Sequence, residues 1–500
     1  MPISITMEAR TWLERLWSGI ADRGRPYADV PAIARPPLVR AELLAKSLLS
    51  ERGEASGAAV ARELLSVLHD LNAEDSAAFR LFLANEFVPD EEALRGAAQA
   101  YLEEPSAARA MVLFDKAEPP RQELLRRMNM APGGTAALVA LRKALLGSLK
   151  KQPELKPLDA DLQHLFASWF NRGFLELRRI DWDTSASVLE KLIAYEAVHE
   201  IMGWQDLRRR LAPDRRCFAF FHRALPGEPL IFVEVALVKG LARAIQPLLA
   251  PPEADIRDEN ADTAIFYSIS NCQEGLRGVS FGNFLIKQVV EELKAELPQI
   301  TIFSTLSPVP GFCRWLKRRL ERQPSALLPE EAGAWHALQP AEPGAEPLST
   351  ADLLEAITQG EWWLDERRSS ALRGPLLRLT AEYLTRPNTG MGAIDPVARF
   401  HLGNGARLER INWLGNVASR GMTESFGIMV NYLYDPDEIE ANHEAFTRSG
   451  AVARSAEVDA LVTAPALLLP RSGAAKSRAG YLPRLLGGTP ANGEGSKSGS

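Results

Sequence analysis

The sequence predicts an all-α helical bundle followed by a mixed α/β domain, and three observations carry that prediction. From the N-terminus to about residue 170, apolar side chains recur at three- and four-residue spacing, with no alternating or β-branched run among them. From Arg216 onward, short β-rich runs appear. A glycine-rich loop then joins one such run to an amphipathic helix, and another apolar run follows, the order expected of a sheet with a crossover helix. The expected division is a helical domain over 1–168, a mixed α/β domain over 169–465 and a disordered tail over 466–500.

In the first part, "AVARELLSVLHDL" (Ala59 to Leu71) and "TAALVALRKALLGSL" (Thr135 to Leu149) are the clearest helices. Thr135 follows Pro132-Gly133-Gly134 and is the expected cap of the second. No cluster of acidic and histidine residues of the di-metal kind lies here. Helical bundles bury apolar faces for stability more often than they build sites, so a scaffold or oligomerisation role is expected.

In the second part, "RCFAFFHRALPGEPLIFVEVAL" (Arg216 to Leu237) is two strands turning at Pro226-Gly227. "TAIFYSIS" (Thr263 to Ser270) is a third strand. "NFLIKQVVEELKAEL" is a helix with Ile286, Val289, Val290, Leu293 and Leu297 on one face, stopped by Pro298, and "ITIFSTL" is a fourth strand. Residues 324–348 are rich in Pro, Ala and Glu and read as a surface insertion. Ser349 or Thr350 then caps a helix beginning "ADLLEAI", and another helix fits "SALRGPLLRLTAEYLT". "PVARFHLGNGARLERINWL" (Pro396 to Leu414) reads as β-like, with Asn404-Gly405 as a hairpin turn. Past residue 465 the chain is rich in Gly, Ser, Ala and Pro, a composition that cannot bury a core.

The chain has 500 residues, 46% of them hydrophobic and 24% charged, within the ordinary range for globular proteins. A net charge of −6 argues against general nucleic-acid affinity, so an anionic ligand must be met by a local basic patch. No apolar run is long enough to span a bilayer, and the first residues lack the pattern of a secretory leader. Cys217, Cys272 and Cys313 lie far apart, without a C-x-x-C pair. They suggest neither a disulfide framework nor a zinc site, and a cytoplasmic location is expected.

"CQEGLRGVSFGNFLIKQVV" joins the third strand to the crossover helix. Gly275, Gly278 and Gly282 let the backbone turn tightly and approach a ligand. The N–H groups of Gly282, Asn283 and Phe284 would open a helix N-terminus, where unpaired donors and the helix dipole attract phosphate. Arg277 adds a full charge. A glycine-rich loop alone is weak evidence, since many merely connect elements, and the spacing is neither the dinucleotide fingerprint nor the Walker loop. It does resemble the pyrophosphate loop of the Gcn5-related N-acetyltransferase fold, Gln/Arg-x-x-Gly-x-Gly/Ala between a strand and a helix. Arg277 and Gly282 match its ends, and Ser280 replaces its inner glycine. The resemblance implies coenzyme A as ligand, and Ser280 sets the chain apart from ordinary acetyltransferases.

One strand later comes "STLSPVPGF". In sheets of this kind ligands gather at the carboxyl ends of strands, so this loop should face the same cleft. Pro308 restricts Ser307 to extended geometry and Pro310-Gly311 fixes the next turn. A serine before proline is more often a turn residue than a catalytic one. No Gly-x-Ser-x-Gly elbow surrounds it, which disfavours an acyl-serine hydrolase. As a proton donor, Ser307 would need a group to replace its proton, and histidine is the natural partner. Of seven histidines none shows zinc-helix spacing, and His401 in "FHLGNGARLERINW" is set apart by its apolar neighbours.

The order of "LPGEPLIFVEVAL", "TAIFYSISNCQEGLRGVSFGNFLIKQVV", "FSTLSPVPGFCRWL" and "PVARFHLGNGARLERINWLGNVASRGMTESFGIMVNYLY" resembles the malonyl-CoA decarboxylase family. The resemblance covers most of residues 190–440. It implies a helical oligomerisation domain, an acetyltransferase-like catalytic domain and a homotetramer, a dimer of dimers, built through the helices. By the same resemblance Ser307 is the proton donor and His401 the proton acceptor, with Ser304 the competing serine. Arg277, Gly278, Val279, Ser280, Phe281, Gly282 and Asn283 form the coenzyme A loop. The implied reaction turns malonyl-CoA into acetyl-CoA and CO2 through an enolate. The substrate's thioester supplies the electron sink, so no metal or organic cofactor is expected. The alternatives are a CoA-dependent acyltransferase on the same fold and a non-catalytic acyl-CoA sensor. The cations of "CRWLKRRLERQ" (Cys313 to Gln323) could meet the 3′-phosphate, although such runs usually face water.

Overall fold

The computed structural model describes residues 12–28, 35–51, 53–250, 260–279, 285–322, 357, 360–386 and 395–463. Ser280, Phe281, Gly282 and Asn283 of the expected coenzyme A loop lie outside the described residues. So do the insertion at 324–348, the cap at Ser349 or Thr350 and the tail from 466.

The first part is helical as expected. Helix Glu54–Asp70 buries Val60, Ala61, Leu64 and Val67, and helix Gly134–Ser148 buries Leu138, Val139 and Leu145. These apolar stripes at three- and four-residue spacing meet one another and helices Pro120–Asn129 and Lys156–Trp169. The cap expected at Thr135 is corrected. Gly133 holds that position in the left-handed region (φ 76°), and the Thr135 hydroxyl instead donates to Asn129 Oδ1 at 2.7 Å. One apolar core runs continuously from this bundle to the sheet, from Leu162 and Phe166 to Phe218, Phe266 and Val290.

The sheet has strands β1 Leu175–Ile180, β2 Arg215–His222, β3 Pro229–Val238, β4 Thr263–Asn271, β5 Ile302–Thr305, β6 Ser307–Pro308, β7 Arg407–Asn412 and β8 Met429–Leu433. β1 to β4 form an antiparallel meander, with Gly227 at φ 72° turning the β2–β3 hairpin as the Pro-Gly signal predicts. Helix Leu285–Glu296 then crosses over, burying Leu285, Ile286, Val289, Val290 and Leu293, and returns the chain to β5, parallel to β4. An antiparallel meander, a loop, a helix and a parallel strand form the mixed sheet with a crossover helix that the sequence predicts. β5 and β6 run along one edge of β8 in a single register, Ser304 opposite Leu433 and Ser307 opposite Val430. They are one strand broken at Leu306, whose N–H turns to Phe266 O at 3.0 Å. β7 pairs the other edge of β8.

Three sequence expectations change. Pro396–Gly403 is a helix rather than a strand, and Asn404-Gly405 ends it rather than turning a hairpin. Gly405 is needed there, because its φ is 82° and a Cβ would stand 2.1 Å from Ile439 O. β1 has no counterpart in the sequence reading, because this edge strand buries only Ile180 and its remaining side chains are exposed or half-buried. β8 is five residues long and was absorbed into a longer motif. The three cysteines are free and buried, and burial pushes their thiols up.

Candidate active site

The break at Leu306 places two serines in different surroundings. Ser304 is fully buried, and its hydroxyl donates to Tyr432 O at 3.1 Å. Ser307 Oγ lies 3.0 Å from His401 Nε2 and donates to Thr305 Oγ1 at 2.9 Å. The histidine geometry therefore selects Ser307 over Ser304 as the residue paired with His401.

His401 reaches this point because of a short, firmly capped helix. Asp395 Oδ1 accepts from the N–H groups of Val397 and Ala398 at 3.0 and 3.4 Å, and Pro396 occupies the first turn, where a missing N–H costs nothing. Asp395 Oδ2 accepts from Gly311 N at 2.9 Å and from the Tyr383 hydroxyl at 3.2 Å. One carboxylate thus ties the turn after Ser307 to the start of the His401 helix. Gly311 permits the approach, since a Cβ there would meet Tyr383 Oη at 2.2 Å. Burial pushes the Asp395 carboxyl up, against the backbone donors that favour its charged form.

The other ring nitrogen, His401 Nδ1, lies 2.8 Å from the Tyr434 hydroxyl. Burial pushes that phenol well up, so it keeps its proton at neutral pH. Nδ1 is its only hydrogen-bond partner among the described residues, so the hydroxyl donates there and leaves Nε2 as the N–H facing Ser307. The ring stacks on Tyr432 at 4.7 Å between centroids. Burial alone pushes the imidazole down to about 3, so it is neutral at physiological pH. The chain Thr305–Ser307–His401–Tyr434 is a line of neutral proton carriers shielded from water. Below it, Thr305 Oγ1 accepts from Tyr432 N at 3.1 Å, and Asn431 Nδ2 donates to Thr305 O at 2.6 Å, which pins the hydroxyl line to β8.

Of the expected loop, Arg277, Gly278 and Val279 are described; Arg277 is exposed, and Gly278 has a φ of 82°. The sequence singled out Ser307 and His401 but not Thr305, Asp395 or Tyr434. The Asp-Pro pair at 395–396 is a helix-start signal that could have located the His401 helix. Tyr434 carried no signal of its own.

The chain is similar to known proteins over most of its length. The sequence pattern of the malonyl-CoA decarboxylase C-terminal domain matches residues 173–469, and that of the N-terminal domain matches 87–170. A malonyl-CoA decarboxylase from Anser anser anser is 40% identical over 352 residues, 69% of this chain and 70% of the relative. One from Rattus norvegicus is 38% identical over 346 residues, 68% and 70% of the two chains. A crystal structure of malonyl-CoA decarboxylase from Rhodopseudomonas palustris is 49% identical, with a TM-score of 0.76, and the match covers 84% of this chain and 98% of that one. The cytoplasmic expectation does not stand, since the goose and rat relatives are both named mitochondrial enzymes. Buried free thiols speak for reducing conditions, which do not by themselves name a compartment. The chain belongs to the malonyl-CoA decarboxylase family.

Proposed function

We propose that this carboxy-lyase releases CO2 from malonyl-CoA and protonates the resulting enolate through Ser307, with His401 as the group that orients and reprotonates it. Loss of CO2 breaks the bond between the α-carbon and the carboxylate, and the electron pair delocalises into the thioester carbonyl. The substrate is its own electron sink, so the protein must hold the coenzyme A handle, accommodate the enolate and deliver a proton. Ser307 Oγ gives its proton to the α-carbon. His401 Nε2–H returns one to the serine and Nδ1 takes the Tyr434 hydroxyl proton, so the enolate's charge passes along the line to Tyr434 until a proton from water discharges it. The net reaction consumes one proton, restored from water after the products leave.

The observation that carries this reading is the 3.0 Å contact between Ser307 Oγ and a buried, neutral His401. The same low-polarity setting keeps the imidazole neutral and favours loss of CO2, because a desolvated carboxylate is less stable than the CO2 it becomes. Arg277, Gly278, Val279, Ser280, Phe281, Gly282 and Asn283 are proposed to hold the coenzyme A phosphates. The test uses malonyl-CoA alone, without acceptor or metal, and follows products by mass. Wild-type protein is expected to form acetyl-CoA and CO2, whereas Ser307→Ala binds the substrate and leaves it intact. Wild-type turnover by Ser307→Ala would reject the assignment.

The assembly is proposed as a homotetramer, a dimer of dimers, formed through the helical part. Helices Glu91–Glu103 and Ala107–Ala117 pack on each other and bury no residue in this chain. They leave Leu102, Met111 and Phe114 at least 73% exposed, an apolar face that a second copy would cover.

A further inference from the structure

The helical part grips the backbone of the candidate phosphate loop, chiefly through one arginine. Arg142, on helix Gly134–Ser148, has a side chain only 2% exposed. Its Nε donates to Asp159 Oδ1 at 2.8 Å, and its Nη1 donates to Gly275 O at 2.8 Å and to Arg277 O at 2.9 Å. From helix Lys156–Trp169, Gln163 Nε2 donates to Gly278 O at 3.0 Å. Three carbonyls of the loop are therefore held by two side chains of the bundle. The approach leaves no slack: a Cβ on Gly275 would stand 2.0 Å from Val139 O.

This grip has a direction. In a trans peptide the N–H points opposite to the preceding C=O. With Arg277 O drawn to Arg142, the Gly278 N–H is turned away from the bundle. The N–H groups of Leu276, Arg277 and Val279 are bonded within the loop, to Gln273, Glu274 and Leu276, whereas that of Gly278 has no partner among the described residues. Two backbone carbonyls and a carboxylate suit a planar guanidinium fork, and a lysine ammonium could not meet all three.

We infer that Arg142 is a positioning residue for the coenzyme A phosphates, so that the helical part sets substrate affinity as well as assembly. This rests on the reading of the loop at Arg277, Gly278 and Val279 as part of the coenzyme A site. The experiment measures kcat and KM for malonyl-CoA and for malonyl-pantetheine, which lacks the phosphates. Arg142→Met should raise KM for malonyl-CoA about tenfold with kcat within about twofold, because charge-assisted bonds are lost but the proton relay is not. KM for malonyl-pantetheine should stay unchanged, and Arg142→Lys should recover part of the affinity. Equal losses on both substrates, or none on either, would overturn the inference. Wild-type enzyme that treats the two substrates alike would overturn the coenzyme A loop itself, a separate outcome. If Arg142→Met does not fold, Gln163→Ala carries the test. It removes one bond from a half-buried side chain and should raise KM for malonyl-CoA about threefold. An unchanged KM in Gln163→Ala would count equally against the inference.

Discussion

Two buried polar networks lie against the same sheet, and they are built on opposite principles. Around His401 every partner is neutral: two hydroxyls hold the ring nitrogens, and water exclusion alone keeps the imidazole uncharged. On the other network, full charges face one another. Arg210 Nη1 donates to Glu234 Oε2 at 2.7 Å with both side chains at most 1% exposed, and Asp214 pairs with Arg209 and Arg215. Burial pushes the Glu234 carboxyl up to about 7 even beside the arginine. His199 stands near these cations, and burial together with Arg210 and Arg420 pushes it down to about 4. A charged network locks geometry, because separating its ions in a dry interior is costly. In a neutral network each hydroxyl and ring hydrogen can shift one place, so the charge of a carbanion, once protonated, would pass along the line to Tyr434 and be discharged there by a proton from water. The difference separates the wall where this sheet stores rigidity from the wall where the proposed chemistry lies.

The sharpest way to break the comparison is to remove the relay. His401→Asn and Ser307→Ala should each lower kcat by about a thousandfold or more, the range for a positioned proton donor, while substrate binding persists. Turnover of malonyl-CoA under saturation, followed by CO2 release, checks this. Ser304→Ala is the control three residues away. Its hydroxyl meets only backbone carbonyls, so activity should stay within about threefold and stability should fall by about 1 kcal/mol.

Next in size is Tyr434→Phe. It removes the donor that fixes the ring tautomer, so kcat should fall about 10- to 100-fold with KM little changed, as expected for an outer partner of an imidazole in the proposed role. An unaltered kcat would mean that the tautomer is set by something else. On the charged side, Glu234→Gln should leave Arg210 with only the Asp206 carboxylate at 3.2 Å and cost about 3 kcal/mol of stability in denaturant unfolding. A loss below 1 kcal/mol would show that the ion pair is not what locks this wall.

The two networks also differ in pH response. His401 and His199 have folded values of about 3 and 4 against 6.5 unfolded, so the unfolded chain binds more protons as pH falls. Their contribution is complete above pH 6.5 and is lost on acidification, at about 1.4 kcal/mol per pH unit for each. Glu234 has the opposite sign, its contribution present below 4.5 and lost as pH rises through about 7. Between pH 4.5 and 6.5 the two histidines oppose Glu234 and the raised Asp395 carboxyl, and the histidine part of the stability should rise with pH. His401→Gln should flatten that rise. No kcat limb from His401 is expected between pH 5 and 8.

How much of this could be read beforehand depends on range. The β2–β3 hairpin and the crossover helix are local patterns of two- and four-residue spacing, and both are where the sequence placed them. Ser307 and His401 are 94 residues apart, and no spacing rule joins them; only the likeness to a family did. Tyr434 lies one residue beyond β8, a five-residue strand buried between two neighbours, where an apolar run does not announce a strand. Asp395 joins two distant turns, and Arg142 joins two kinds of architecture. Such contacts follow from the three-dimensional path of the chain. The Asn404-Gly405 error has the same origin, because the dipeptide suits a hairpin and a helix end alike.

The smallest expected effect concerns the basic helix after Ser307. Helix Phe312–Arg322 buries Phe312, Cys313, Leu316 and Leu320 on one side. Arg319 is committed to Glu382 at 3.0 Å, and Arg314, Lys317 and Arg318 are exposed. Exposed cations on such a helix are screened by salt within about 10 Å, so they contribute little unless a ligand phosphate comes close. Arg318→Glu should therefore change KM for malonyl-CoA by less than about twofold at physiological salt. A several-fold rise, growing as salt is lowered and absent with malonyl-pantetheine, would place the 3′-phosphate at this helix. It would also divide coenzyme A recognition between the Arg142-braced loop and a second, solvent-facing element.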